Sequence, residues 1–188
     1  MPSTLTTPPA SEPLTLAEAK AHLRVLHADE DQLISELIKS ARRQAESATG
    51  LRFIQQIWSV YYDDWPETGV IELPIAPVIA ITDVKTYSED SIAAVIDPAH
   101  YFADRLSRPP RLLLRPDRIW ARPGRIANGI EVVVTAGFGA TAASVPEPLR
   151  QAMLQLIAHR YTHRGEDEAA HAPFAFAGLI APFREMRL

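Results

Sequence analysis

Two histidines spaced i, i+4, His159 and His163, would share one face of a helix, the spacing that can place two imidazoles on one metal ion. The residue after His159 is Arg160, where a zinc protease would carry its glutamate, and Arg160 and Arg164 both oppose a bound cation. The pair therefore reads as polar residues at a helix end. His22, His27, His100 and His171 are scattered, with no ligand spacing. No Gly-x-Ser-x-Gly elbow, phosphate loop or dinucleotide fingerprint occurs. Gly137-Phe138-Gly139 reads as a turn, and the paired acids Asp63-Asp64 and Asp29/Asp31 fall in a turn and at a helix start. The chain has no cysteine, which removes thiolate nucleophiles, disulfides and cysteine-based zinc sites. The sequence predicts no enzyme, no cofactor and no metal.

One charge feature stands apart. Arg105, Arg108, Arg111, Arg115, Arg118, Arg122 and Arg125 are seven arginines within 21 residues, with Asp117 the one acid among residues 105–125. Pro109, Pro110, Pro116 and Pro123 keep the stretch irregular, and Trp120 is interleaved. It reads either as a solvated loop or as a basic surface facing a phosphate backbone or an acidic neighbour. Arginines in such a loop hold phosphate without reading bases.

The composition bounds the rest. With 188 residues, 47% hydrophobic and 22% charged, the chain can bury one real core and is not a disordered polymer. A net charge of −4 argues against nucleic-acid binding by bulk charge. No apolar run approaches the length of a membrane span, so no membrane partner is expected. Residues 1–13 lack a signal-peptide pattern and read as a flexible arm.

The elements follow from period. Thr15 and Glu18 have capping-box spacing for a first helix ending near Leu26, with Leu14 placed as a hydrophobic staple. Leu33, Ile34, Leu37, Ile38, Ala41, Ala45 and Ala48 form the stripe of a second helix, opened by Asp29-Glu30-Asp31 and closed by Gly50. Lys39, Arg42, Arg43 and Glu46 lie off that stripe and read as a solvated face. From Arg52 the period shortens, predicting strands over 53–62, 70–73, 77–87 and 130–136, with weaker ones over 100–102 and 111–114. Leu149, Met153, Leu156, Ile157 and Tyr161 make the stripe of a third helix, with Pro148 in its first turn and Gly165 at its end. The fold class predicted is α+β. A small helical bundle is formed by both chain ends (14–51 and 145–165), with an inserted antiparallel β module (52–138) and a C-terminal tail (166–188).

That tail follows an acidic link, Glu166-Asp167-Glu168, and is apolar, with Phe174, Phe176, Leu179, Ile180, Phe183 and Leu188. Either it folds back to complete this chain's own core, or it offers anchors to another protein's groove. Pro182 argues against one continuous helix.

Read in order, several motifs resemble a family. They are Leu14-Thr15-Leu16-Ala17-Glu18-Ala19-Lys20, Asp29-Glu30-Asp31-Gln32-Leu33-Ile34, Thr49-Gly50-Leu51-Arg52, Gln56-Ile57-Trp58 and Glu72-Leu73-Pro74-Ile75-Ala76-Pro77-Val78. Val133-Val134-Thr135-Ala136-Gly137-Phe138-Gly139, Val145-Pro146-Glu147-Pro148-Leu149 and the ending Leu179-Ile180-Ala181-Pro182-Phe183-Arg184 complete the set. The ordered set resembles the head–tail connector (adaptor) proteins of long-tailed phages and of phage-derived gene transfer agents. The resemblance implies a structural adaptor at the head–tail neck of a particle assembled in the bacterial cytoplasm. It implies a homo-oligomeric ring of roughly twelve copies, closed by heterologous contacts, with DNA passing through it. It implies a portal protein as partner, a tail-side neck or terminator protein as another, and docking of the C-terminal segment on the portal. The portal-binding residues would then be Phe174, Phe176, Leu179, Ile180, Phe183, Arg184 and Leu188. Placing Arg105 to Arg125 toward DNA in the lumen, or toward an acidic partner, is an inference from charge and not from the family's motifs. The alternative function is a DNA-binding packaging accessory protein using that loop.

Overall fold

The computed structural model describes residues 2–118, 120–164 and 172–184. The chain divides into two compact units: Met1–Pro9 with Gln55–Phe138, and Ala10–Ile54 with Gly139–Leu188.

The first unit is all β. Its strands are β1 (Ser3–Thr7), β2 (Gln56–Tyr62), β3 (Val70–Glu72), β4 (Val78–Tyr87), β5 (Ala93–Val95), β6 (Tyr101–Asp104), β7 (Arg111–Leu114) and β8 (Ile130–Ala136). They form two antiparallel sheets, one of five strands in the order β1-β2-β8-β4-β5 and one of three in the order β3-β7-β6. Strand β8 is central, and every residue in it but Thr135 is buried, which is why its sequence is almost continuously branched and apolar. Val60, Val84, Val132 and Val134 of the larger sheet share one core with Ile71, Leu112 and Tyr101 of the smaller. Each such fully buried side chain contributes roughly 1.5–3 kcal/mol before entropic costs. Strand β4 does not hold the strict alternation its sequence suggests. Register shifts after Val78 and after Ile81 let Val78, Ile81 and Val84 all reach the core.

The second unit carries α1 (Leu16–Leu23), α2 (Asp31–Thr49), α3 (Glu147–Thr162) and α4 (Phe174–Ile180). Thr15 and Glu18 close the expected capping box: the Glu18 N–H donates to Thr15 Oγ1 at 3.2 Å, and the Thr15 N–H donates to Glu18 Oε2 at 2.7 Å. Gly50 ends α2 at φ 74°, a left-handed conformation in which a side chain would be strained. Ile34, Ile38, Ala41 and Ala45 of α2 are buried, as are Leu149, Met153, Leu156 and Ile157 of α3, and the two helices pack together. Among the described residues no helix is long and apolar enough to cross a membrane.

This corrects the fold expected from the sequence. The helices are not a bundle formed by both chain ends around one inserted module. There are four helices and two antiparallel sheets among the described residues, and the N-terminal end is itself a strand. Residues 3–7, read above as part of a flexible arm, are Ser-Thr-Leu-Thr-Thr, uncharged and rich in β-branched side chains. They satisfy the backbone groups along the open edge of β2, a non-local pairing that no local pattern announces. The second sheet exists because the apolar face of the first needs a cover, which the short strands β3, β6 and β7 provide.

Candidate functional site

The C-terminal segment is short and its apolar residues divide between two environments. Pro173 precedes α4, and its carbonyl accepts from the Ala177 N–H at 3.3 Å. Phe176 and Ile180, one helical turn apart, are 2% and 0% exposed and lie on the side that packs on α3 and α2. Phe174 points away and is 93% exposed. Leu179 and Phe183 are half-buried and Arg184 is exposed. Pro182 lies in the 3-10 turn Ala181–Phe183 that follows α4. Leu188 falls outside the described residues. A seven-residue helix has little stability of its own, so its position depends on the two buried anchors.

The seven arginines do not form one patch. Arg111 donates to Asp104 Oδ2 at 2.6 Å, and Asp104 also accepts from the Ser107 hydroxyl at 2.6 Å and from the Leu106 and Ser107 N–H groups. Those bonds, from Ser107 first and then Arg111, hold the Asp104 carboxyl well below the usual carboxylate range. Arg111 thus fixes the β6–β7 turn. Arg105 donates to the Ile79 carbonyl at 2.5 Å, at the start of β4. Arg125 donates to Ser91 Oγ at 3.0 Å and stacks over the Tyr87 ring at 4.2 Å, at the end of β4. Eight residues of strand separate Ile79 from Tyr87, roughly 26 Å. Arg118 sits 3.6 Å from Asp117. Arg108, Arg115 and Arg122 are exposed and make no ion pair among the described residues. Trp65 and Trp120 meet edge-to-face at 5.0 Å, and their indole N–H groups donate to the Ala121 and Arg115 carbonyls. That aromatic pair holds the segment carrying Arg115 and Arg122 in place.

His159 and His163 lie with rings 4.5 Å apart. Arg160 donates to Ser40 Oγ at 2.6 Å and to Gln44, tying α3 to α2. Among the described residues no three His, Asp or Glu side chains gather as metal ligands.

Two buried polar clusters were not anticipated. Arg42, placed on a solvated face by its sequence, is 7% exposed. It donates to Glu12 at 2.7 Å and to Glu46 at 3.0 Å, and Glu46 in turn accepts the Phe53 N–H at 2.9 Å. The i, i+4 spacing of Arg42 and Glu46 was visible, but the third partner, thirty positions away, was not. On β8, Glu131 is 7% exposed and accepts from Ser59 Oγ and Tyr87 Oη, both at 2.6 Å, with Lys85 at 3.4 Å. Burial pushes the Glu131 carboxyl up, but the bonds from Ser59, Tyr87 and Lys85 outweigh it and the net shift is downward. The bond to Glu131, with burial behind it, pushes the Tyr87 hydroxyl up to about 12. Both clusters are fully partnered and read as structural ties.

The polar clusters described above are structural ties, so comparison with known proteins carries the functional evidence. The model of the family described as phage gp6-like head-tail connector protein matches residues 13–106. Among solved structures, a chain from the neck of an empty gene transfer agent particle, computed with C6 symmetry, superposes with a TM-score of 0.87 at 25% identity. A chain from the neck of the native particle, computed with C12 symmetry, gives 0.81 at 25% identity. A chain from the virion of the native particle gives 0.85 at 24% identity, which shows shared fold alone. Each comparison covers 100% of this chain and 97% of the other. No curated protein matches the chain.

Proposed function

The chain belongs to the phage gp6-like head–tail connector family, and from that premise we propose that it is a structural adaptor seated in the neck of a phage-like particle, between the capsid portal and the tail. Full-length likeness to neck chains of gene transfer agent particles is the observation that carries this reading. The working assembly is a closed ring, in keeping with the C6 and C12 symmetry of those necks, with DNA passing through it. The function is mechanical joining and not turnover of a substrate.

In this reading the C-terminal segment meets the portal through its outward side. Phe176 and Ile180 hold α4 on its own unit, and Phe174, Leu179, Phe183 and Arg184 meet the partner. An exposed phenylalanine on a short helix that also carries a half-buried leucine offers apolar surface that a groove on another protein can cover. Many equivalent segments on one ring multiply a modest contact through effective concentration. The exposed arginines Arg108, Arg115 and Arg122 face DNA phosphates or an acidic neighbour, and Arg111 and Arg125 are engaged within the unit. The test is joining of heads to tails in a particle carrying Phe174→Ala. Loss of joining with an intact fold supports the reading, and normal joining refutes portal docking through this segment.

A further inference from the structure

The five-stranded sheet ends in two edges unlike those of its neighbour. The edges of the three-stranded sheet carry charge: Glu72 on β3, and Asp104 on β6 followed by Arg105. Charge on an edge strand discourages another chain from pairing there. Strands β1 and β5 carry none, and all of their residues are exposed. Large apolar side chains accompany them: Leu5 is 40% exposed, Ile92 68% and Val95 63%.

The ladder shows which backbone groups are free. The Tyr61 N–H donates to the Pro2 carbonyl, and the register then turns Thr4 toward β2. Alternation leaves the N–H and C=O of Ser3 and Leu5 pointing outward. The Ile96 N–H donates to the Val84 carbonyl, which turns Ala94 toward β4 and leaves Ala93 and Val95 pointing outward. Each edge thus offers two outward residues separated by one. Because the sheet is antiparallel throughout and has an odd number of strands, β1 and β5 run in the same direction. Two copies related by a small rotation would bring them together as a parallel pair, with Ser3 or Leu5 opposite Ala94.

We propose that a second copy of this chain pairs its β1 edge with β5 of its neighbour, so that the five-stranded sheets continue from subunit to subunit. The contact is heterologous, joining two different surfaces of one chain, as a cyclic ring requires. It covers Leu5, Ile92 and Val95 and completes the open ladder. This rests on the ring reading given under Proposed function.

The absence of native cysteine makes the test clean. Four strand spacings, about 19 Å, separate β1 from β5 within a chain, too far for a disulfide to form internally. Ser3→Cys/Ala94→Cys and Leu5→Cys/Ala94→Cys are oxidised in assembled particles carrying the full chain. The expected result is a ladder of covalent multimers above the dimer in at least one double variant and in neither parent single variant. As a second measurement, Ala93→Pro removes an outward N–H while sparing the bond to β4. It should reduce the multimeric fraction about tenfold or more, with the monomer's melting temperature within a few degrees of wild type. Multimers by native mass spectrometry without a ladder in either double variant overturn the sheet contact and leave the ring standing. Absence of any multimer removes ring and contact together.

Discussion

Phe174 and Phe176 lie two residues apart on one short helix, and truncating each should have opposite consequences. Phe176 is 2% exposed against α3 and α2. A buried phenylalanine removes about 150–250 Å² from water, worth about 4–6 kcal/mol at 25 cal/mol per Å². Alanine retains about 1 kcal/mol of that, so Phe176→Ala should cost about 3–5 kcal/mol, in line with core phenylalanine truncations. For a chain of this size the melting transition would fall by about 10 °C. Phe174, 93% exposed, has almost nothing to lose in the free chain, and Phe174→Ala should stay within about 0.5 kcal/mol of wild type. In the particle the order reverses for any specific effect on docking. If Phe174 is an anchor for the portal, its loss should lower the yield of tailed particles at least about tenfold. Thermal denaturation followed by circular dichroism, beside electron-microscope counts of tailed and tailless heads, separates the two effects. Equal destabilisation by both variants, or normal tailing with Phe174→Ala, would refute the division of the segment into an inner and an outer side.

Other outcomes follow from the buried clusters and the exposed arginines. Arg42→Ala takes away the guanidinium that Glu12 and Glu46 share, leaving the buried Glu46 with one cation fewer, and should cost about 3–5 kcal/mol in denaturant, more than Arg42→Met combined with Glu46→Leu. Parity between the two would show that the weakened pairing of a buried charge is not what sets the cost. The Glu131 carboxyl is held below its ordinary 4.5, so its contribution to stability is present above that pH and is lost as pH falls through the lower folded value. Glu131→Gln should therefore flatten the acid limb of a pH–stability curve, and parallel limbs would contradict the assignment. Arg108→Ser/Arg115→Ser/Arg122→Ser should reduce the salt slope of DNA binding by up to about 2.7, about 0.9 for each phosphate contact removed. An unchanged slope would take these arginines away from DNA.

Local signals were legible in the sequence and long-range ones were not. Thr15 with Glu18, and Gly50 after the α2 stripe, fix helix ends by chemistry within four residues, and both stand in the structure as read. Strand β8 was visible because five of its seven residues, Ile130, Val132, Val133, Val134 and Ala136, are apolar and buried. Strand β1 was not, since it pairs with β2, fifty or more residues away, and none of its side chains is buried. Arg42 illustrates the same failure at a single residue. Its type predicts exposure, and Glu12, thirty positions away in the chain, joins Glu46 in making its burial tolerable. The connector family was legible from ordered motifs, but the division of the C-terminal segment into buried and exposed side chains was not. Phe174 and Phe176 are the same residue type, and the side of α4 that each occupies depends on how α3 packs.

The account is tested most directly by a cryo-electron microscopy map of the assembled particle containing this chain. It predicts copies of the chain in a closed ring at the neck, with Phe174 of each covered by the portal protein. A neck lacking the chain, or a ring in which every Phe174 faces solvent, would contradict it.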